Sequence, residues 1–235
     1  MSASKATNVD IVDFHAHILP SADHGSSSIE TSLAQLALAR DAGVTRIVAT
    51  PHFYPSRHTL DQFLERRNGA WERLRRELVG DMPDIRVGAE VLICNGIENL
   101  PGLERLFITG TNTLMLELPF ADFQEEYIDS AERLVLRGIN VVLAHADRYD
   151  EDHIDEMVKV GCKIQLNADA FDHLFMKSHI KNWLSSGSVI ALGSDIHHKD
   201  KCAYRSFLHA IKKVNAYIGD IKKASDDIWN KSKIL

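Results

Sequence analysis

Short apolar runs rich in β-branched residues recur along the chain, and nearly all of them end on a side chain able to bind a metal. Seven read as strands, over residues 11–17, 46–52, 86–93, 113–118, 140–145, 163–167 and 189–195. They end at the pair His15 and His17, then at His52, Glu90, Glu117, His145, Asn167, and the pair Asp195 and His197. Helical periods lie between most of them. The first helix starts in Ser27-Ser28-Ile29-Glu30, a capping-box spacing, carries Leu33, Leu36 and Ala37 on one face, and stops at Gly43. Helices around Ile128, Leu134 and Val135, around Ile154 and Val158, and around Ile180 and Leu184 stop at Gly138, Gly161 and Gly187, each leading into a strand. Strands alternating with helices at this spacing predict βα units on a parallel sheet. Seven such units favour an α/β barrel of TIM-like (β/α)7 type over an open sheet. In such a barrel the active site forms at the C-terminal ends of the strands, where all these polar residues fall.

The 235 residues suit a single domain over 1–235 with a tail over 1–9, and the interior is large enough for a full core. Hydrophobic residues at 45% and charged residues at 26% are ordinary for a soluble protein. No apolar run approaches the ~18 residues of a membrane span, and the first eight residues lack a signal-peptide core, so a cytoplasmic location is expected. Cys94, Cys162 and Cys202 are odd in number and form no C-x-x-C pair, which argues for reduced thiols. No Cys-x5-Arg phosphate loop is present, so a cysteine-nucleophile phosphatase mechanism has no support in the sequence. A net charge of −6 argues against a nucleic-acid partner. Residues 60–78 hold Arg66, Arg67, Arg73, Arg75 and Arg76 interleaved with Glu65, Glu72 and Glu77. The i,i+4 spacing of Glu72 and Arg76 reads as a solvated helix face rather than a polyanion patch.

A strand places residues i and i+2 on one face, so His15 and His17 can reach the same ion. A lone strand-end histidine such as His145 is more often a hydrogen-bonded core residue than a ligand. Here, however, six of the twelve histidines (His15, His17, His24, His52, His145 and His197) fall at or just beyond strand ends. His58, His153, His173, His179 and His209 read as surface or loop residues. Glu90 and Glu117 follow apolar strand residues, where a carboxylate needs a metal or an arginine to compensate its burial. Mixed imidazole and carboxylate donors suit Zn, Mn or Fe, and bridging carboxylates allow ions to sit close together.

The runs Asp13-Phe14-His15-Ala16-His17-Ile18-Leu19-Pro20, Thr50-Pro51-His52, Gly88-Ala89-Glu90, His145-Ala146-Asp147-Arg148-Tyr149 and Ser194-Asp195-Ile196-His197 resemble the polymerase and histidinol phosphatase (PHP) superfamily. Within it the chain is most similar to bacterial manganese-dependent protein-tyrosine phosphatases of capsule and exopolysaccharide operons. The resemblance implies a distorted seven-stranded barrel (the PHP fold), up to three divalent metal ions with manganese first and iron or zinc as alternatives, and phosphomonoester hydrolysis. It places His15, His17, Glu90 and Asp195 around one ion, Glu90, Glu117 and His145 around a second, and His24, His52 and His197 around a third. Histidine stands at position 24 where the family pattern has aspartate. Arg148 matches a phosphate-binding arginine, and a second basic contact falls to Lys201, with Lys199 or Arg205 as alternatives.

The catalytic expectation is that a water activated between two ions attacks phosphorus in line. Glu90 and Asp195 hold those ions, and Arg148 offsets the phosphoryl charge. His198 and Asp23 are the candidate proton donors. The implied substrate is a phosphotyrosine protein, in particular a tyrosine autokinase. The alternative is a histidinol phosphatase or another small-molecule phosphoesterase of the same superfamily. A metal-dependent amidohydrolase ranks lower, because it needs a strand-borne lysine where this chain has Glu117. A non-catalytic scaffold ranks lower too, because every expected ligand position carries a competent donor. Residues 53–59 and 119–127 stand where substrate contacts form on such a barrel.

Overall fold

The computed structural model describes residues 9–199 and 201–230, and its framework is one all-parallel sheet of nine strands. These are β1 (Val9–Ala16), β2 (Val44–Ala49), β3 (His52–Phe53), β4 (Asp84–Val87), β5 (Glu90–Leu92), β6 (Thr113–Glu117), β7 (Asn140–Leu143), β8 (Lys163–Asn167) and β9 (Val189–Gly193), in the order β3-β5-β6-β7-β8-β9-β1-β2-β4. The sequence reading of seven strands becomes nine because two are interrupted. Thr50-Pro51 splits β2 from β3, and Gly88-Ala89 splits β4 from β5. β2 pairs with β4 below the breaks and β3 with β5 above them. The end strands of the ladder, β3 and β4, are therefore the covalent continuations of β2 and β5. Seven chain passes curl into a distorted barrel, in agreement with the expected α/β class. The tail expected over 1–9 lies outside the described residues except for Val9, which begins β1.

Seven α-helices surround the sheet: α1 (Ile29–Asp41), α2 (Leu60–Arg75), α3 (Glu126–Leu136), α4 (Glu151–Lys159), α5 (Ser178–Ser185), α6 (Lys201–Lys213) and α7 (Ile218–Asn230). None is long and apolar enough to cross a membrane. The glycine stops behave as expected. Gly138 and Gly161 take φ of 78° and 106°, a left-handed turn that glycine adopts without a Cβ penalty. The start of α1 differs from its reading by one residue, because Ser28 is the N-cap and its side chain accepts from Thr31 N. The face α1 buries is also more polar than expected. Leu36 and Ala39 point inward beside Thr31, Ser32 and Gln35, whereas Leu33 and Ala37 are only partly covered. Ser32 Oγ lies 2.7 Å from Ser26 Oγ, and Gln35 Nε2 donates to Ile196 O at 3.5 Å, so this polar face secures the loops after β1 and β9.

Two apolar layers hold the barrel together. A large one between strands and helices includes Ile47, Leu116, Leu134, Leu143, Leu166 and Phe207. A smaller one fills the barrel with Val12, Phe14, Val48, Met115, Val142 and Ala191, and Ile228 of α7 joins it. Arg46 pairs with Asp226 at 2.7 Å, and Arg46 and Arg86 stack on Trp229, which seats α7 against the N-terminal ends of β2 and β4. The opposite end of the barrel is left for polar side chains.

The arginine-rich helix α2 departs from the solvated-face reading. Arg67 is buried and donates to Gly88 O at 3.2 Å and Arg105 O at 3.0 Å, bracing the break between β4 and β5. Arg66 donates to Ala22 O at 2.7 Å and Arg73 to Pro20 O at 3.0 Å, so both hold the loop that follows β1. The exposed ion pair on this helix is Glu72 with Arg75, at i,i+3 rather than i,i+4. The guanidinium donors satisfy loop carbonyls that no helix or strand can reach. Arg67→Met should therefore destabilise the protein by about 1–3 kcal/mol, while Arg75→Met should stay within about 0.5 kcal/mol, as read from thermal unfolding.

Candidate metal centre

Each polar strand end delivers its side chain to one buried cluster at the C-terminal mouth of the barrel. The register of β1 on β2 shifts between Asp13 and Ala16, the point at which the chain presents His15 and His17. His145 and Asp195 have positive φ of 33° and 51°, a strained backbone that aims the side chain off the end of its strand. Buried Asp13 anchors this region, accepting from Ser194 N at 2.8 Å and from the Tyr204 hydroxyl at 2.9 Å.

At the centre His15 Nε2 and His17 Nε2 lie 3.0 Å apart. Glu90 Oε2 stands 3.2 and 3.3 Å from them, and Asp195 Oδ1 stands 3.5 and 3.3 Å from them. Two imidazole nitrogens facing each other at that distance need a proton or a cation between them. Edges of 3.0–3.5 Å are those of a donor shell with metal bonds of about 2.0–2.2 Å. The other Glu90 oxygen, Oε1, is 2.6 Å from His145 Nε2, and Glu117 Oε1 lies 4.0 Å from the same nitrogen. His52 Nδ1 is 2.9 Å from Glu90 Oε2 and 3.5 Å from Glu117 Oε2, without the alignment of a hydrogen bond. Glu117 Oε2 is buried and accepts no hydrogen bond among the described residues. A buried carboxylate oxygen without a donor, beside an imidazole nitrogen equally unserved, fits a divalent cation.

Three donor groups converge: His15, His17 and Asp195; His52, Glu90 and Glu117; and His17, His52 and His197. The three groups hold seven of the nine ligand positions read from the sequence, and His145 joins them through Glu90 Oε1, with His52 beside Glu117 where the sequence reading put His145. His24 is the outlier. Its exposed ring stacks 4.7 Å from His52 and 4.8 Å from His197, at the rim of the cluster. His58, His153, His173, His179 and His209 contribute no donor.

Behind the donors lies a set of polar side chains, of which the sequence reading named Asn167 and Asp23 for other roles and did not single out Gln165. Gln165 Oε1 accepts from His15 Nδ1 at 3.0 Å and from His145 N at 2.7 Å, while its Nε2 donates to Asn167 Oδ1 at 2.9 Å. Asn167 Nδ2 donates to Asp195 Oδ2 at 2.9 Å, so Asn167 orients a ligand rather than serving as one. Asp23, read as a candidate proton donor, instead accepts from His17 Nδ1 at 2.6 Å, His52 N at 3.0 Å and Gly25 N at 2.9 Å. Burial would raise its pKa, but the hydrogen bond and charge of His17 hold it well below the carboxylate range, so it carries no proton to give. With Nδ1 of His15 and His17 donating outward, both Nε2 lone pairs face the centre, as metal-binding imidazoles require.

Electrostatics follow the same division between centre and rim. Burial opposes the charge on Glu90, yet His15 and the hydrogen bonds from His145, His15 and His17 keep it well below the usual carboxylate range. Burial likewise opposes protonation of His17 and His52, but Asp195, Asp23 and Glu90 raise His17 well above the ordinary imidazole value. Glu117 and Glu90 lift His52 to about 9. At the rim, burial and His17 push His197 down to about 4.

Arg148 borders the cluster with its guanidinium 2.8 Å from Asp195 Oδ2 and 3.9 Å from Asp169 Oδ2. A pocket of about 200 Å³ lies over the donors, lined by His24, His52, Tyr54, Glu117, Phe120, His145, Arg148, Asp195 and His197. Arg148, Asp195 and His197 also border an adjoining cleft of about 320 Å³ that reaches the exposed His198 and Ser206. Lys201 is the first residue of α6, and its side chain lies outside the described part of the structure.

Residues 11–234 match the family model for capsular polysaccharide synthesis, CpsB/CapC. The chain is 26% identical over 210 residues to the tyrosine-protein phosphatase CpsB of Streptococcus pneumoniae, covering 81% of this chain and 84% of that protein. It is 24% identical over 200 residues to the tyrosine-protein phosphatase YwqE of Bacillus subtilis, covering 80% and 78%. A solved structure from work on YwqE and CpsB, described as metal-dependent tyrosine phosphatases, superposes over 96% of both chains with a TM-score of 0.77 at 20% identity, which establishes the shared fold.

Two outcomes follow from the geometry. Asp23→Asn should weaken metal affinity by about 10- to 100-fold by titration calorimetry, because His17 loses the partner that fixes its orientation. The second concerns pH. In the metal-free protein the protonated His52 contributes stability that is fully present below its ordinary value of 6.5 and is lost as pH rises through about 9, whereas a bound cation requires the neutral ring. The gap in melting temperature between metal-loaded and metal-free protein should therefore widen from pH 6.5 toward 9.

Proposed function

The chain belongs to the capsular polysaccharide synthesis CpsB/CapC family, and from that premise we propose that it is a metal-dependent protein-tyrosine phosphatase. The observation that carries the reading is the convergence of histidine and carboxylate donors on Glu90 beneath a pocket bordered by a guanidinium. Divalent ions, when bound, supply Lewis acidity toward phosphoryl oxygens and an acidified water, and manganese is the ion we assign.

The roles we give the chain's own residues follow from their positions. His15, His17, Glu90 and Asp195 hold one ion. Glu90, Glu117 and His145 would hold the next, and His52, His197 and His24 would serve the outermost position. Gln165, Asn167 and Asp23 fix the ring and carboxylate orientations so that the donors need little rearrangement. Arg148 presents its fork to the phosphoryl oxygens, and its pairing with Asp195 sets that fork beside the cluster. Lys201 serves as the second basic contact. His198, exposed on the adjoining cleft, is the group we assign to return a proton to the leaving group, a modest demand when that group is a phenolate. The substrate we assign is a cytoplasmic tyrosine autokinase of capsule or exopolysaccharide synthesis, as the relatives' family implies.

The test is phosphate release from a phosphotyrosyl peptide and from histidinol phosphate, each with manganese and with a chelator. Chelator-sensitive turnover favouring the peptide is expected. Preference for histidinol phosphate would move the protein to small-molecule metabolism, and no turnover of either would refute the phosphatase reading. Arg148→Ala should lower kcat/KM by about 10²- to 10³-fold, the range for removing one charge-stabilising donor.

A further inference from the structure

We propose that Phe120 is a specificity-determining residue, an aromatic wall that packs against the ring of a phosphorylated tyrosine while the phosphoryl group sits over the histidine and carboxylate cluster. The inference rests on the phosphatase reading above and names the part of the substrate that the cluster itself does not recognise. A single exposed phenylalanine is ordinary on a protein surface. Phe120, 69% exposed, differs from the still more exposed Leu174 and Phe175 because it lines the same pocket as Glu117, His145 and Arg148, whereas they do not.

The backbone places it there. Phe120 follows Glu117 by three residues, so the strand that delivers a carboxylate to the cluster also delivers a phenyl ring to its rim. The ring lies nearly parallel to His145, at 12° and 6.2 Å between centroids, and 5.5 Å from Tyr149. On the other bank Tyr54 follows His52 by two residues, with its ring 5.2 Å from that imidazole at 18° and under the Arg57 guanidinium at 5.1 Å. The pocket lining therefore combines two aromatic rings, Phe120 and Tyr54, with the charged groups of the cluster. A phenyl ester can fill that pocket with its own ring in offset contact with Phe120. A short alkyl ester brings no ring to make that contact.

The experiment compares wild type, Phe120→Ala, Phe120→Tyr and Leu174→Ala in the manganese-loaded protein. Two readouts are used: kcat/KM for a phosphotyrosyl peptide, and the inhibition constant of inorganic phosphate as a probe without a ring. Phe120→Ala should lower kcat/KM by about 10- to 100-fold, mainly through KM, with phosphate inhibition and metal content unchanged. Phe120→Tyr should restore most of the loss, and Leu174→Ala should match wild type. An unchanged kcat/KM in Phe120→Ala overturns the proposal, as does a parallel weakening of phosphate inhibition. If wild type hydrolyses no phosphotyrosyl peptide, the phosphatase reading itself fails and takes the proposal with it, an outcome distinct from a change confined to Phe120→Ala.

Discussion

A fully buried carboxylate surrounded by imidazoles organises this structure. Glu90 has no exposed surface, and its ion-pair partners among the described residues are His15, His17, His52 and His145. No arginine or lysine side chain is among these partners, so the compensating charge must come from protons on the histidines or from a cation among them. Burying such a charge uncompensated costs several kcal/mol. Without metal, the cluster satisfies itself by raising His15, His17 and His52 and holding Glu90 low.

The barrel is shaped around that requirement. Glu90 opens β5 directly after the break at Gly88-Ala89, and buried Arg67 holds the freed carbonyl of Gly88. The companion break at Thr50-Pro51 starts β3 at His52, in register with Glu90. Two interrupted strands thereby place a histidine and a carboxylate side by side where two unbroken strands would have continued the apolar lining. Gly193 shows how tight the packing is, because a Cβ there would meet His15 Cβ at 2.5 Å and Gln165 Nε2 at 2.6 Å. Function and fold share these positions, so a substitution that loosens one is felt by the other.

Much of this was legible in the chain. His15-x-His17 and the polar ends of apolar runs mark the cluster because strand periodicity alone puts such residues on one face, and the glycine stops at Gly138 and Gly161 mark helix ends because few other residues take that φ. The supporting set was hidden for a physical reason. Gln165 and Asn167 alternate with Ile164 and Leu166, so their inward direction is readable, but whether an inward amide binds an ion or the far nitrogen or oxygen of a ligand side chain depends on neighbours distant in sequence. Asp23 sits beside His24 and looked like a proton donor until its contact with His17 appeared. The arginines of α2 have a solvated-face pattern, and only tertiary placement shows that three of them serve loop carbonyls. Helices α6 and α7 were not read at all, although Tyr204, Phe207, Ala210 and Val214 repeat at helical spacing and are buried.

If Glu90 joins neighbouring cation positions, as proposed, both positions depend on its charge. Metal content per chain, measured by mass spectrometry on wild type and Glu90→Gln after identical manganese loading, with circular dichroism to confirm that both are folded, tests it most directly. More than one ion is expected in wild type and at most one in Glu90→Gln, since the amide removes the charge both positions share. An unchanged ion count in folded Glu90→Gln would contradict it.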